Sequence, residues 1–237
     1  MNGETNRRGS LRLAATLLLA GQLSYIVVTQ FHTGGDANDH PVIFAAYAGS
    51  AIWTAVHLAQ FVAMSVLLAG LLALCRTLDD QARTTCWASR FGAALTVAAL
   101  ALYAALQAVD GVANKQADVA WVSASGPEKA ARFASAEAIR WIEWGLRSYH
   151  DVALGFALLL SSVAVARATW TPRPVAYLMA LSALAYLAQG WVVGSDGFST
   201  MESILIVLAW VFSVAWMSWM VVAARRTDES EALSSVR

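Results

Sequence analysis

Twelve residues, RWIEWGLRSYHD from Arg140 to Asp151, carry five charged or imidazole side chains into the start of a long apolar run. Continued as a helix, Arg140, Glu143, Arg147, His150 and Asp151 fall at i, i+3, i+7, i+10 and i+11, which sets them on one face. His57 and Gln60 stand one turn apart in another apolar run, and Gln189 in a third. Imidazole, carboxylate and guanidinium groups in apolar helices offer three kinds of chemistry. His57 and His150, on different helices at similar depth, form a pair for bis-histidine ligation of a haem b, with Gly145 and Gly155 leaving room and Arg147 meeting a propionate. His57, His150 and Asp151, joined by His40 or Asp39, contain the ligand types for a divalent metal such as zinc or copper, and hence for a membrane-embedded metal-dependent enzyme. That match is one of composition, because no H-x-x-x-H or H-E-x-x-H spacing is present. As a third reading, His57, Gln60, Glu143, Arg147, His150, Asp151 and Gln189 line an outward-facing polar pocket. Such a pocket holds a small ligand in a binding, transport or assembly protein, and this is the reading the sequence favours.

The helices that must position these groups follow from composition. The chain has 237 residues, 58% hydrophobic and 14% charged, with ten tryptophans; a soluble domain carries roughly a quarter charged residues. An all-α, polytopic membrane bundle is expected, with lipid as its surroundings. Zero formal net charge and the lack of any basic run set nucleic-acid binding aside. Six runs are long and apolar enough to span, at about residues 13–31, 52–74, 91–109, 147–166, 175–193 and 203–224. The first run is long and has no A-x-A site, so it reads as a span rather than a cleaved signal. An amphipathic helix over residues 128–146 leads into the fourth span, and residues 227–237 read as a disordered tail. Together residues 1–226 make a single bundle domain.

Orientation follows from the cations. Eleven of the 16 Lys and Arg residues fall in the amino terminus, the connectors after spans two and four, and the carboxy terminus. Those segments are expected on the cytoplasmic side of a bacterial inner membrane, and Cys75 and Cys86 there as reduced thiols. The intramembrane polar residues then crowd the outer halves of the spans, apart from Gln22 near the middle. Arg147 is expected to pair with Glu143 or Asp151 on its own helix, and His150 with a partner from another span such as His57. Each group also has a structural explanation. The Glu143–Arg147–Asp151 series serves as a salt-bridge ladder at a helix end. His57 serves as polar glue between helices. His32 and His40, in the loop HTGGDANDHP, read as solvated or capping residues, and Trp53, Trp141, Trp144 and Trp191 as an aromatic belt. No P-loop, no G-x-S-x-G and no lysine within a span for a Schiff base are found.

The arginine-led first span, the loop HTGGDANDHPVIFAAYA, the following WTAVHLAQF and the W-x-x-x-G-L-R-S-Y-H-D start of the fourth span resemble a group of bacterial six-span membrane proteins of unknown function. The resemblance implies the fold and carries over no catalytic residue.

Overall fold

The computed structural model describes residues 2–79, 83–169 and 171–234, with side chains over 8–79, 86–169 and 171–225. The chain is all-α. Helix α1 is Asn2–Thr29, α2 His40–Gly49, α3 Trp53–Asp79 and α4 Arg83–Ala108. A π-helical turn, Val109–Asn114, continues α4 into α5, Lys115–Ser123; α6 is Gly126–Arg167, α7 Arg173–Asp196 and α8 Thr200–Ser234. Six of these helices are long and apolar enough to cross a membrane, the shortest stretch being the 22 residues Arg8–Thr29. They pack as a closed ring in the order α1, α3, α4, α6, α7, α8 and back to α1. An even number of crossings returns both termini to one end of the bundle.

Small residues let these helices approach closely, as packing in an apolar solvent requires. A Cβ on Gly70 of α3 would meet the backbone of Leu18 on α1 at 2.6 Å. Between α6 and α7, Ser148 Oγ donates to the Gly190 carbonyl at 2.7 Å. Leucine, alanine and methionine from all six long helices fill the core.

At the end away from the termini, α2, α5 and the first half of α6 form a cap. Its own apolar cluster is Ile43, Phe44, Tyr47, Trp53 and Ala136, with Trp121 and Phe133 against it. Asp39 caps the start of α2 by accepting from the Val42 N–H at 3.4 Å, and Pro41 occupies its first turn. Lys115 Nζ closes the other end of α2, donating to the carbonyls of Tyr47, Ala48 and Ser50 at 2.7 to 2.8 Å. The 42 residues of α6 measure about 63 Å at the α-helical rise, twice a bilayer core, so its first half stands in the cap.

Sequence and structure part in three places. Beyond the expected end of span three at residue 109 the chain stays helical through Ser123, because the π turn lets the helix run on. Trp53, expected in the aromatic belt, is only 2% exposed and packs inside the cap; Trp141 and Trp191 are exposed. Helix α8 continues past Arg226 into the stretch expected as a tail, of which residues 235–237 lie outside the described residues.

Candidate metal centre

His57 sits one turn into α3. Its Nδ1 lies 2.8 Å from the Trp53 carbonyl, a group that only accepts, so Nδ1 carries a proton. In a neutral ring the other nitrogen, Nε2, then presents its lone pair. That lone pair faces Asp110, with Nε2 and Oδ2 2.9 Å apart, yet Nε2 has no aligned hydrogen-bond partner. Two acceptors at this distance repel unless a proton or a metal ion lies with them.

The π turn explains why Asp110 is there. An i→i+5 turn breaks the regular ladder and frees carbonyls, and such turns concentrate at functional sites. Two side chains of α3 take up the freed groups: Trp53 Nε1 donates to the Asp110 carbonyl at 2.8 Å, and Thr54 Oγ1 to the Gly111 carbonyl at 3.4 Å. Asp110 is thereby fixed at backbone level. Asn114 Nδ2 holds the carboxylate itself, donating to Asp110 Oδ1 at 3.3 Å and to Glu143 Oε2 at 2.5 Å. Gly111 is required by closeness: a Cβ there would lie 2.7 Å from the His57 Cβ.

The third member comes from the loop after α1. His32 Nδ1 donates to its neighbour's carbonyl, Thr33, at 3.0 Å, which again leaves Nε2 free. Its ring lies edge-on to His57 with centroids 5.1 Å apart and against Trp53 at 4.8 Å. Burial holds the His32 imidazole below its ordinary pKa, against the pull of the Asp110 carboxylate, so the neutral form is favoured. One ligand atom from each of His32, His57 and Asp110 lies within 4.8 Å of the others. Two imidazoles oriented through Nδ1–H, plus one carboxylate, make a donor set for a divalent transition metal.

A cavity of about 520 Å³ reaches this cluster, lined by His32 and Asp110 and by Gln60, Arg140, Glu143 and Arg147. Glu202 and Trp210 of α8 close its opposite side. Gln60 donates to Thr29 Oγ1 at 3.1 Å. The α6 series resolves into two ion pairs: Arg140 with Glu143 at 2.6 Å and Arg147 with Asp151 at 3.0 Å. Arg140 also donates to the Ala37 carbonyl, which ties the loop carrying His32 to α6.

Other residues expected at the site lie elsewhere. His57, His150, Asp151 and Gln189 are not among the lining residues; His57 lines a second, smaller cavity with Thr54, Gln107 and Gly111. His150 turns to α4, with Nδ1 2.9 Å from the Ala99 carbonyl and its ring against Tyr103. The expected His57–His150 pair is therefore not formed; His57 pairs with His32 and Asp110. Nor is there porphyrin space at Gly155, whose Cα faces Leu187 and Ala183 of α7. Gln189 is fully buried with neither amide atom hydrogen-bonded among the described residues. His40, expected as solvated or capping, pairs with Glu137 at 2.9 Å.

Comparison with protein families, curated proteins and solved structures finds no match to this chain. What stands is a multi-span helical membrane bundle of about six helices with a His, His, Asp cluster at one end.

Proposed function

We propose that this protein binds a divalent transition metal through His32, His57 and Asp110 at the outer end of its bundle, as a membrane-embedded metal-dependent enzyme. The carrying observation is that three ligand atoms from three chain segments meet within 4.8 Å, with both histidines oriented through Nδ1–H on backbone carbonyls. Three protein ligands leave a position open, as catalytic metal sites do and closed structural sites do not. The cavity supplies a place for a substrate at that position. Metal as a Lewis acid or as the source of a bound hydroxide is the chemistry such a site offers.

A binding, transport or assembly role uses the same cavity, yet it gives no reason for two oriented imidazoles to face one carboxylate. The cation distribution supports an outer membrane face for the site and a bacterial inner membrane as its location. Elemental analysis of the protein purified without metal-affinity tags tests the reading. One zinc, iron, manganese or copper per chain is expected, lost in His32→Ala and in His57→Ala and kept in His150→Ala. Metal-free protein that also takes up none of these ions on addition refutes it; His57 and Asp110 are then a protonated ion pair.

A further inference from the structure

The cavity holds groups that the metal cluster does not use. Arg140 is 2% exposed, and its Nε has no partner although it lies in the wall. Arg147 spends Nε on Asp151 and Nη1 on Tyr25, and lines the same cavity. Glu202 is 5% exposed, lines the cavity, and among the described residues its carboxylate accepts no hydrogen bond. Arg140 Nε is buried without a partner, which is costly, and Arg147 and Glu202 present further polar atoms to the same cavity, so the wall suits a ligand that brings both an acceptor and a donor.

Charge narrows the ligand. Arg140 is matched by Glu143 and Arg147 by Asp151. Asp36 also lines the cavity but is exposed, where solvent screens it; of the buried carboxylates Asp110 and Glu202 remain, and a divalent ion balances both. The buried charges of the loaded site then cancel, which disfavours a charged ligand in a low-dielectric setting. Shape narrows it further. The lining runs along α8 from Thr200 to Trp210, about 15 Å at the helical rise. Glu202, Ile206 and Trp210 recur at i, i+4 and i+8 on one face, so the wall turns from polar to apolar with depth, and Leu106 and Tyr25 face it. A small polar solute would leave the deep end unfilled.

We infer that the cavity takes an uncharged amphiphile whose head carries a carbonyl and an N–H or O–H, as in a fatty amide, with its chain toward Ile206 and Trp210. The carbonyl meets the metal and the arginine N–H groups; the head donor meets Glu202. This rests on the metal reading above, and the test separates the two. Protein in nanodiscs is loaded with zinc, its zinc content measured, and octanamide, acetamide and octanoate titrated by calorimetry. Octanamide is expected to bind at least about tenfold more tightly than acetamide, since burying about two methylenes suffices for that, and more tightly than octanoate. Ile206→Trp, which fills the apolar end, is expected to keep its zinc and bring the octanamide advantage below about threefold. Full zinc content with no octanamide binding overturns the inference alone. Equal binding of acetamide overturns the amphiphile, tighter binding of octanoate overturns the neutral head, and an unaffected Ile206→Trp overturns the place of the chain. Protein that takes up no zinc overturns the metal reading and this inference with it.

Discussion

Gly111→Ala tests whether the metal cluster depends on the tight contact between the π turn and α3. The added methyl would lie 2.7 Å from His57 Cβ and 3.2 Å from its Cγ. Carbon atoms rest in contact at roughly 3.5 to 4.0 Å, so the two segments must part by about 1 Å. Neither contact atom is the tip of a flexible chain. His57 Cβ moves only with the α3 backbone, and Gly111 only with the turn that carries Asp110. Metal–ligand bonds tolerate about 0.2 Å, well below that displacement. Overpacking of this kind costs about 1–3 kcal/mol, which by the tenfold-per-1.4 kcal/mol rule is a loss of roughly 5- to 150-fold in metal affinity if it falls wholly on the site. The control is Gly145→Ala on α6, where nothing lies within 4 Å of the new Cβ; it is expected to leave affinity unchanged. Competition with a chromophoric zinc chelator measures both variants, and circular dichroism establishes that both remain helical. Zinc affinity of Gly111→Ala within about twofold of the parent would refute the argument that this contact sets the distance between His57 and Asp110.

Further outcomes follow from other contacts. Asn114→Ala removes the amide that holds Asp110 Oδ1 and Glu143 Oε2; zinc affinity should fall about 10- to 100-fold with helicity kept, as for other groups that orient a ligand. Arg147→Ala leaves Asp151, 1% exposed, without its ion-pair partner and should cost about 3–5 kcal/mol of stability in a detergent unfolding titration. Adding Asp151→Leu should recover most of that loss; no recovery would mean that Arg147 acts through Tyr25 instead. Removing metal with a chelator frees His32 and loosens the loop of residues 33–39, so proteolysis there should quicken in the parent and not in His32→Ala.

Six spans were legible in the sequence because length and hydropathy alone define them, and the structure supports an all-α polytopic bundle on the same grounds. The candidate site was legible only in part. His57 and Gln60 were singled out because an imidazole in an apolar helix is unusual at any azimuth. Its partner was misjudged because similar depth says nothing about which way a residue faces around its helix: His150 turns to Ala99 and Tyr103. His32 sits in a loop with no periodicity to read, and its turn-rich neighbours suggested a solvated residue. Asp110 closes span three, but the π turn that presents it leaves no mark in hydropathy. The single face expected for α6 became two separate ion pairs, since 42 residues extend from the cap into the bundle.

The order of the ligands along the chain bears on how the protein is made. His32, His57 and Asp110 all belong to the first half, before α6, α7 and α8 leave the ribosome. Once α1, α3 and α4 have threaded the bilayer, the three ligands have already crossed to the far side. On the metal and orientation proposed above, the ion is captured during biogenesis from the compartment beyond the membrane, before Arg140 and Glu143 of α6 arrive. On that reading, the metal is decided by the ions abundant in that compartment, and not by those that the cytoplasm buffers.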